Sequence, residues 1–113
     1  MTPDAFKAAA LALPAATHVV QWGGADVFKV GGKIFAVMDL GGAFSIKVSD
    51  IAYEALTESG AARPAPYLAR AKWVAFDDLE SLNGAEVSGW LANAHALVAA
   101  KLTRALKREL GLS

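Results

Sequence analysis

The sequence predicts a soluble, single-domain α+β protein, because two kinds of hydrophobic spacing occupy separate stretches of one short chain. Apolar residues recur with helical spacing near both ends, whereas residues 18–48 alternate with a period of two. The chain has 113 residues, of which 55% are hydrophobic, and this is enough for one buried core. Since no repeat, linker or low-complexity segment interrupts it, we assign residues 1–113 to a single domain.

The first predicted element is a short helix that starts at Thr2. A hydroxyl N-cap, a proline at the first helical position (Pro3) and an acid in the first turn (Asp4) together favour a helix start. One apolar stripe follows at helical spacing, from Phe6 onward, and Pro14 ends the helix.

The second predicted element is a three-stranded β-meander whose turns are the glycine pairs at 31–32 and 41–42. Two-residue turns at these positions pair Val30 with Lys33, Phe28 with Phe35, Val37 with Ile46 and Asp39 with Phe44. The core face of the meander is then predicted to consist of Phe28, Val30, Phe35, Val37, Phe44, Ile46 and Val48. The opposite, mixed face would carry Val27, Lys29, Ile34, Ala36, Met38, Ser45 and Lys47.

The second half of the chain predicts two more helices around a short strand. Ser49-Asp50 caps a helix that runs to about Glu58. Residues 61–71 then form a loop, and residues 73–76 form a strand. Asn83, followed by Glu86, caps a long helix that is expected to continue to residues 110–111. The predicted order is therefore a helix, a meander, a helix, one or two strands and a helix.

The composition excludes several classes of site. The chain contains no cysteine, which removes disulfides, thiolate catalysis and cysteine-based zinc sites. Its 11 basic and 11 acidic residues cancel, so the net charge gives no argument for nucleic-acid binding. No stretch approaches the length of a membrane span, and no targeting segment is evident. We therefore expect a cytoplasmic protein that does not enter a membrane.

The residues that could carry chemistry favour a protein that is not an enzyme. His18 and His95 lack further ligands at metal-binding spacing, so we expect neither a metal nor a cofactor. The adjacent acids Asp77 and Asp78 precede a helix, where solvated carboxylates commonly serve as caps. The serines lack a nucleophile-elbow context. We interpret the three tryptophans, Trp22, Trp73 and Trp90, as anchors of the core or its edge.

Two groups of basic residues remain. Lys101, Arg104 and Arg108 would share one face of the long C-terminal helix, where the helix dipole alone is a sufficient reason for positive charge. The predicted register also places Lys29 and Lys47 diagonally across Ala36 on the mixed sheet face. Lysines there either bind phosphates or keep an open sheet face soluble.

The order of these motifs resembles the MmcQ/YjbR family of small bacterial proteins. The most specific part is the block from Val27 to Ala36, and the blocks 45–48, 66–67 and 72–74 follow it. The resemblance covers nearly the whole chain, from the Leu-Pro turn at 13–14 to the C-terminal helix. It departs from many relatives at Thr17-His18, where an acidic pair is common.

The resemblance implies an α-β(3)-α-β(2)-α domain similar to type III secretion chaperones and CyaY-like folds. It thus implies two strands in residues 61–76. The family is often labelled DNA-binding through its hairpins, which is an argument from the fold. The positions that match nominate these phosphate-binding residues: Lys29, Lys33, Lys47, Arg70 and Lys72.

Three functions stay open at this point. The first is a non-enzymatic binding module for double-stranded DNA, and clustering of the nominated cations would favour it. The second is a chaperone-type protein-interaction domain, in which the mixed sheet face (Val27, Ile34, Ala36, Met38) or the long helix docks a partner. An exposed apolar patch would favour this second function. The third is a small-ligand pocket between the sheet and the C-terminal helix.

Overall fold

Six antiparallel strands form one sheet, and the helices cover one of its faces. This computed structural model describes residues 1–66 and 68–112. The helices are α1 (Pro3–Leu11), α2 (Asp50–Glu58), α3 (Gly84–Ala99) and α4 (Arg104–Glu109). The strands are β1 (Ala16–Gln21), β2 (Ala25–Val30), β3 (Lys33–Met38), β4 (Phe44–Lys47), β5 (Arg63–Pro64) and β6 (Trp73–Phe76). The predicted α+β class, an antiparallel sheet packed on helices, is confirmed.

The strand order is β1-β2-β3-β4-β6-β5, so the first four strands are consecutive neighbours and β6 returns beside β4. Region 61–76 supplies two strands, as the family resemblance implies. Between them lies a short 3₁₀ helix, Ala69–Ala71. None of the helices in the described ranges is long and apolar enough to cross a lipid bilayer.

The predicted three-stranded meander is wrong by one strand, because β1 and β2 form an additional hairpin. Their turn contains Trp22, Gly23 and Gly24, which all have positive φ angles, of 51°, 77° and 118°. A glycine pair marks this turn as it marks the next one, so the turn has a signal in the sequence. Trp22 occupies the turn and is 67% exposed, so its prediction as a core anchor is wrong.

The turn at Gly31-Gly32 pairs Val30 with Lys33 as predicted, but the register changes immediately beyond it. Lys29 faces Ile34, while Phe28 faces Ala36, so Phe35 is the additional residue of a β-bulge. The predicted pairing of Phe28 with Phe35 is therefore wrong. Because of the bulge, Phe35 and Ala36 both belong to the core under the helices.

The bulge also shifts the pairing of β3 with β4. Ala36 faces Ile46 and Met38 faces Phe44, whereas the predicted partners were Val37 for Ile46 and Asp39 for Phe44. The connection is longer than a two-residue turn, since β3 ends at Met38 and β4 begins at Phe44. The Asp39 carboxylate stabilises this loop by accepting hydrogen bonds from the backbone N–H groups of Gly41 and Ala43. As a result Met38 enters the core and Val37 moves to the opposite face.

The C-terminal helix is broken in two, contrary to the prediction that it continues to residues 110–111. Its first part, α3, ends at Ala99, and Thr103 caps α4 by accepting a hydrogen bond from the Leu106 N–H. A threonine hydroxyl competes well for such a backbone donor at a helix start. Lys101, Arg104 and Arg108 therefore do not share the face of one continuous helix.

Helices α1 and α3 bury the aromatic core against the sheet. Phe44 stacks on Phe76 with ring centroids 4.8 Å apart, and Phe76 stacks on Trp90 at 4.7 Å. The N-caps predicted at Thr2, Ser49 and Asn83 are present, each accepting a hydrogen bond from its helix. This core fixes the ends of the strands, where the charged side chains lie.

Candidate nucleic-acid interface

The antiparallel strand directions bring the nominated cations to one end of the sheet. Strand β2 ends where β3 begins, with Val30 opposite Lys33, and β4 ends where β6 begins, with Lys47 opposite Trp73. Arg70 and Lys72 lie directly before β6. The nominated residues and the lysine that follows α3 form what we call the basic end: Lys29, Lys33, Lys47, Arg70, Lys72 and Lys101.

The hairpin turn at this end packs against the C-terminal segment. A Cβ atom on Gly31 would lie 2.7 Å from Leu102 Cδ1 and 3.2 Å from a methyl carbon of Leu106. Gly31 has a φ of 59°, which side-chain-bearing residues rarely adopt. This close approach places Lys29 and Lys33 beside the break between α3 and α4, where the basic residues from Lys101 onward begin.

Lys29 and Lys47 share the outer face of the sheet, which we define as the face opposite the helices. Lys29 alternates with core residues Phe28 and Val30, and Lys47 precedes the core residue Val48. The residue between the two lysines on this face is Ile34, because the bulge turns Ala36 into the core. The predicted position across Ala36 is therefore wrong, although both lysines do lie on the same face.

Two of the nominated cations have partners within the protein. Lys47 Nζ donates a hydrogen bond to the Ala71 carbonyl. Partial burial lowers the pKa of Lys47, the charge of Lys101 lowers it further, and Asp50 opposes this shift. Lys72 Nζ lies 4.8 Å from the centre of the Tyr53 ring in a cation–π contact. These contacts fix the two lysines beside the short helix that carries Arg70.

The other nominated cations are available to a ligand. Lys33 and Arg70 are exposed, and Lys29 is half-buried. Within residues 1–66 and 68–112, the lysine and arginine ion pairs are those of Lys7 and Arg63. All the cations of the basic end thus lack an ion-pair partner in the described part of the chain.

The opposite end of the sheet is acidic, and both paired cations lie there. Lys7 Nζ and His18 Nε2 lie 3.5 Å and 2.7 Å from Asp26 Oδ1. Arg63 donates to Asp77 at 2.8 Å, and this hydrogen bond lowers the pKa of Asp77 and raises that of Arg63. We call this the acidic end, formed by Asp26, Asp39, Asp77, Asp78 and Glu80. The chain is neutral in sum but polarised along its strands.

The mixed sheet face predicted as a docking surface does not exist as such. Val27, Ala36 and Met38 are buried, and Ile34 is half-buried against a small cluster formed by Ala65, Trp73 and Ala75. The segment that carries Ala65 covers this part of the outer face. The prediction that Val27, Ile34, Ala36 and Met38 dock a partner is therefore wrong.

An apolar groove lies between α2 and α3. Its volume is about 420 Å³, and its walls include Val48, Ala52, Trp90, Ala96 and Leu97. Both helices line it partly with alanines, and α2 contributes no fully buried residue. The expected small-ligand pocket was placed between the sheet and the C-terminal helix, whereas this groove lies between α2 and α3.

His95 occupies a structural position. His95 is 6% exposed, and its Nε2 lies 2.7 Å from the Pro14 carbonyl oxygen, to which the N–H tautomer donates. Its ring meets Phe35 edge-on at 5.4 Å. In the described ranges, no three histidine or carboxylate side chains converge as a metal site would require.

Comparison with known proteins agrees with the fold. A family model described as YjbR matches residues 11–97. The crystal structure of the Deinococcus radiodurans protein DR2400, a DUF419 domain, superimposes with a TM-score of 0.86 at 24% identity, over 99% of this chain and 89% of that chain. At this identity the likeness shows a shared fold. No curated protein sequence matches the chain.

Proposed function

The chain belongs to the YjbR family, and we propose that it is a non-enzymatic binding domain whose ligand is the phosphate backbone of double-stranded DNA. The observation that carries this proposal is the separation of charge along the sheet. Lysines and arginines that pair with carboxylates lie toward the acidic end, whereas those of the basic end have no ion pair in the described residues. Unpaired cations gathered on one surface attract a polyanion.

The cations of the basic end have a division of roles. Lys29 and Lys33 flank the hairpin turn, and Arg70 lies on the short helix across the sheet end. Their side chains would contact phosphate oxygens directly. Such contacts give affinity and orientation with little sequence readout, so the proposed binding is largely independent of DNA sequence.

Lys47 and Lys72 would position Arg70. Lys47 Nζ donates a hydrogen bond to the Ala71 carbonyl, and Lys72 packs over the Tyr53 ring. The two residues that follow Arg70 are therefore both held in place. Lys47 also lies near the charge of Lys101, and Asp50 provides a partial counter-charge. A bound phosphate would relieve this repulsion, which favours an anion at the basic end.

Fluorescence anisotropy of a labelled duplex tests the proposal. We expect the wild type to bind at low salt and the double variant K29A/K33A to bind at least about tenfold more weakly, because two phosphate contacts are lost. K7A removes a lysine from the acidic end and is the matched control, with an expected affinity equal to that of the wild type. Equal weakening by K7A, or no binding by the wild type, would reject the basic end as a DNA site.

The alternative is a protein-interaction domain of the chaperone type. The groove between α2 and α3 favours it, because an apolar groove of about 420 Å³ accepts large side chains of an amphipathic helix. Lys101 follows the groove-lining residue Ala100, so a helix with acidic residues beside its apolar stripe would fit best. A wild type that fails to bind DNA in the experiment above would favour this alternative.

A further inference from the structure

Strand β1 forms an open edge of the sheet. It pairs with β2 through six consecutive residue pairs without a bulge, and no other strand of the described chain lies beside it. Residues 17–20 are all exposed, and the strand contains no lysine, arginine, carboxylate or proline. Proteins usually protect such an edge with lysines, prolines, bulges or a very short strand.

The other edge of the same sheet has that protection. Strand β5 is two residues long, Arg63–Pro64, and thus presents a charge and a proline. Val19 and Val20 on β1 are 38% and 58% exposed, so the unprotected edge is apolar as well as long. The contrast between the edges indicates that β1 is adapted to accept another strand.

We propose that β1 is the interface of a homodimer, in which it pairs antiparallel with β1 of a second copy and joins the two sheets. An antiparallel edge is self-complementary, because a twofold axis matches its N–H and C=O groups to those of an identical edge. The chain's formal net charge of zero adds no long-range repulsion between copies.

The charge distribution selects a second copy as the occupant. Strand β1 runs from the basic end, where Ala16 faces Val30, to the acidic end, where Gln21 faces Ala25. Antiparallel pairing therefore places the basic end of each copy beside the acidic end of the other. This arrangement is electrostatically complementary, whereas parallel pairing would bring like charges together.

The twofold axis restricts the register. Facing residues of an antiparallel pair lie on the same side of the sheet, so a twofold axis perpendicular to the sheet passes next to one residue and not between two. The two residues at the middle of β1, which give the most pairs, are His18 and Val19. In these two registers Val19 faces Thr17 or Val19 of the second copy. Position 19 is thus next to the partner strand in both, and the helices of both copies lie on one side of the joined sheet.

Sedimentation velocity of charge variants tests the dimer. The wild type is expected to sediment as a dimer at micromolar concentration, and V19K and V19E are each expected to sediment as monomers because like charges then meet across the axis. An equimolar mixture of V19K and V19E should recover the dimer. L40K, which changes a loop residue that is 82% exposed, is the control and should dimerise like the wild type.

The recovery in the mixture separates a specific interface from misfolding, since a misfolded variant would not regain a partner. A monomeric wild type, or single variants that remain dimeric, would overturn the proposal. An equimolar mixture that stays monomeric would also overturn it. The measurement contains no DNA, so its outcome is independent of the proposed DNA binding.

Discussion

The native state disfavours the positive charge of Lys47. Partial burial lowers its pKa below 10.5, and Lys101 adds to this effect. Its ammonium group nevertheless holds the Ala71 carbonyl, which belongs to the segment that carries Arg70. A charged side chain in an unfavourable position that also organises a basic surface is consistent with a binding role.

The depressed pKa of Lys47 predicts a pH dependence of stability. Below its folded pKa the group is charged in both states, and the native state disfavours that charge relative to the unfolded one. As the pH rises through the folded pKa toward 10.5, the native state releases its proton first and stability increases. The wild type should therefore gain stability relative to K47M over this window in urea unfolding. A constant difference between the two proteins would contradict this explanation.

At the scale of the elements, the hairpin between β2 and β3 depends on two glycines with different surroundings. Gly31 has a φ of 59° and lies against Leu102. Gly32 has a φ of 80°, and a Cβ added there would have no neighbouring side chain within 4 Å. Both positions strain a residue with a side chain, but only Gly31 is also crowded. The contact at Gly31 connects the hairpin lysines to the segment after α3.

We expect G31A to destabilise the protein by about 2–4 kcal/mol, from backbone strain and overpacking combined. The matched variant G32A should cost about 1 kcal/mol, since it adds backbone strain alone. Urea unfolding midpoints measure both values. Equal losses for the two variants would show that the contact of Gly31 with Leu102 is unimportant.

Local signals explain which elements could be predicted from the sequence. The caps at Thr2, Ser49 and Asn83 act within one helical turn, so their residue types are sufficient evidence. The bulge at Phe35 has no such local signal, because it depends on how the core accepts two consecutive side chains. The break at Thr103 was hidden because apolar helical spacing continues across it.

At the scale of the whole molecule, the charge distribution matters more than its sum. The family resemblance nominated the hairpin cations, but their convergence with Lys101 depends on strand directions and on the packing of Gly31 against Leu102. The acidic end was not predicted, because its carboxylates are far apart in the sequence and meet only in the folded sheet. For the same reason the ion pairs of Lys7 with Asp26 and of Arg63 with Asp77 have no signal in the sequence. A composition with 11 charges of each sign conceals this polarity.

The most direct test of the central claim is the salt dependence of DNA affinity. The logarithm of the binding constant should fall linearly with the logarithm of salt concentration, with a slope of about −0.9 for each phosphate contact. We predict that K29A/K33A reduces the steepness by about 1.8, corresponding to two lost contacts, and that K7A leaves it unchanged. Equal slopes for the wild type and K29A/K33A would contradict the assignment of the basic end as the phosphate-binding surface.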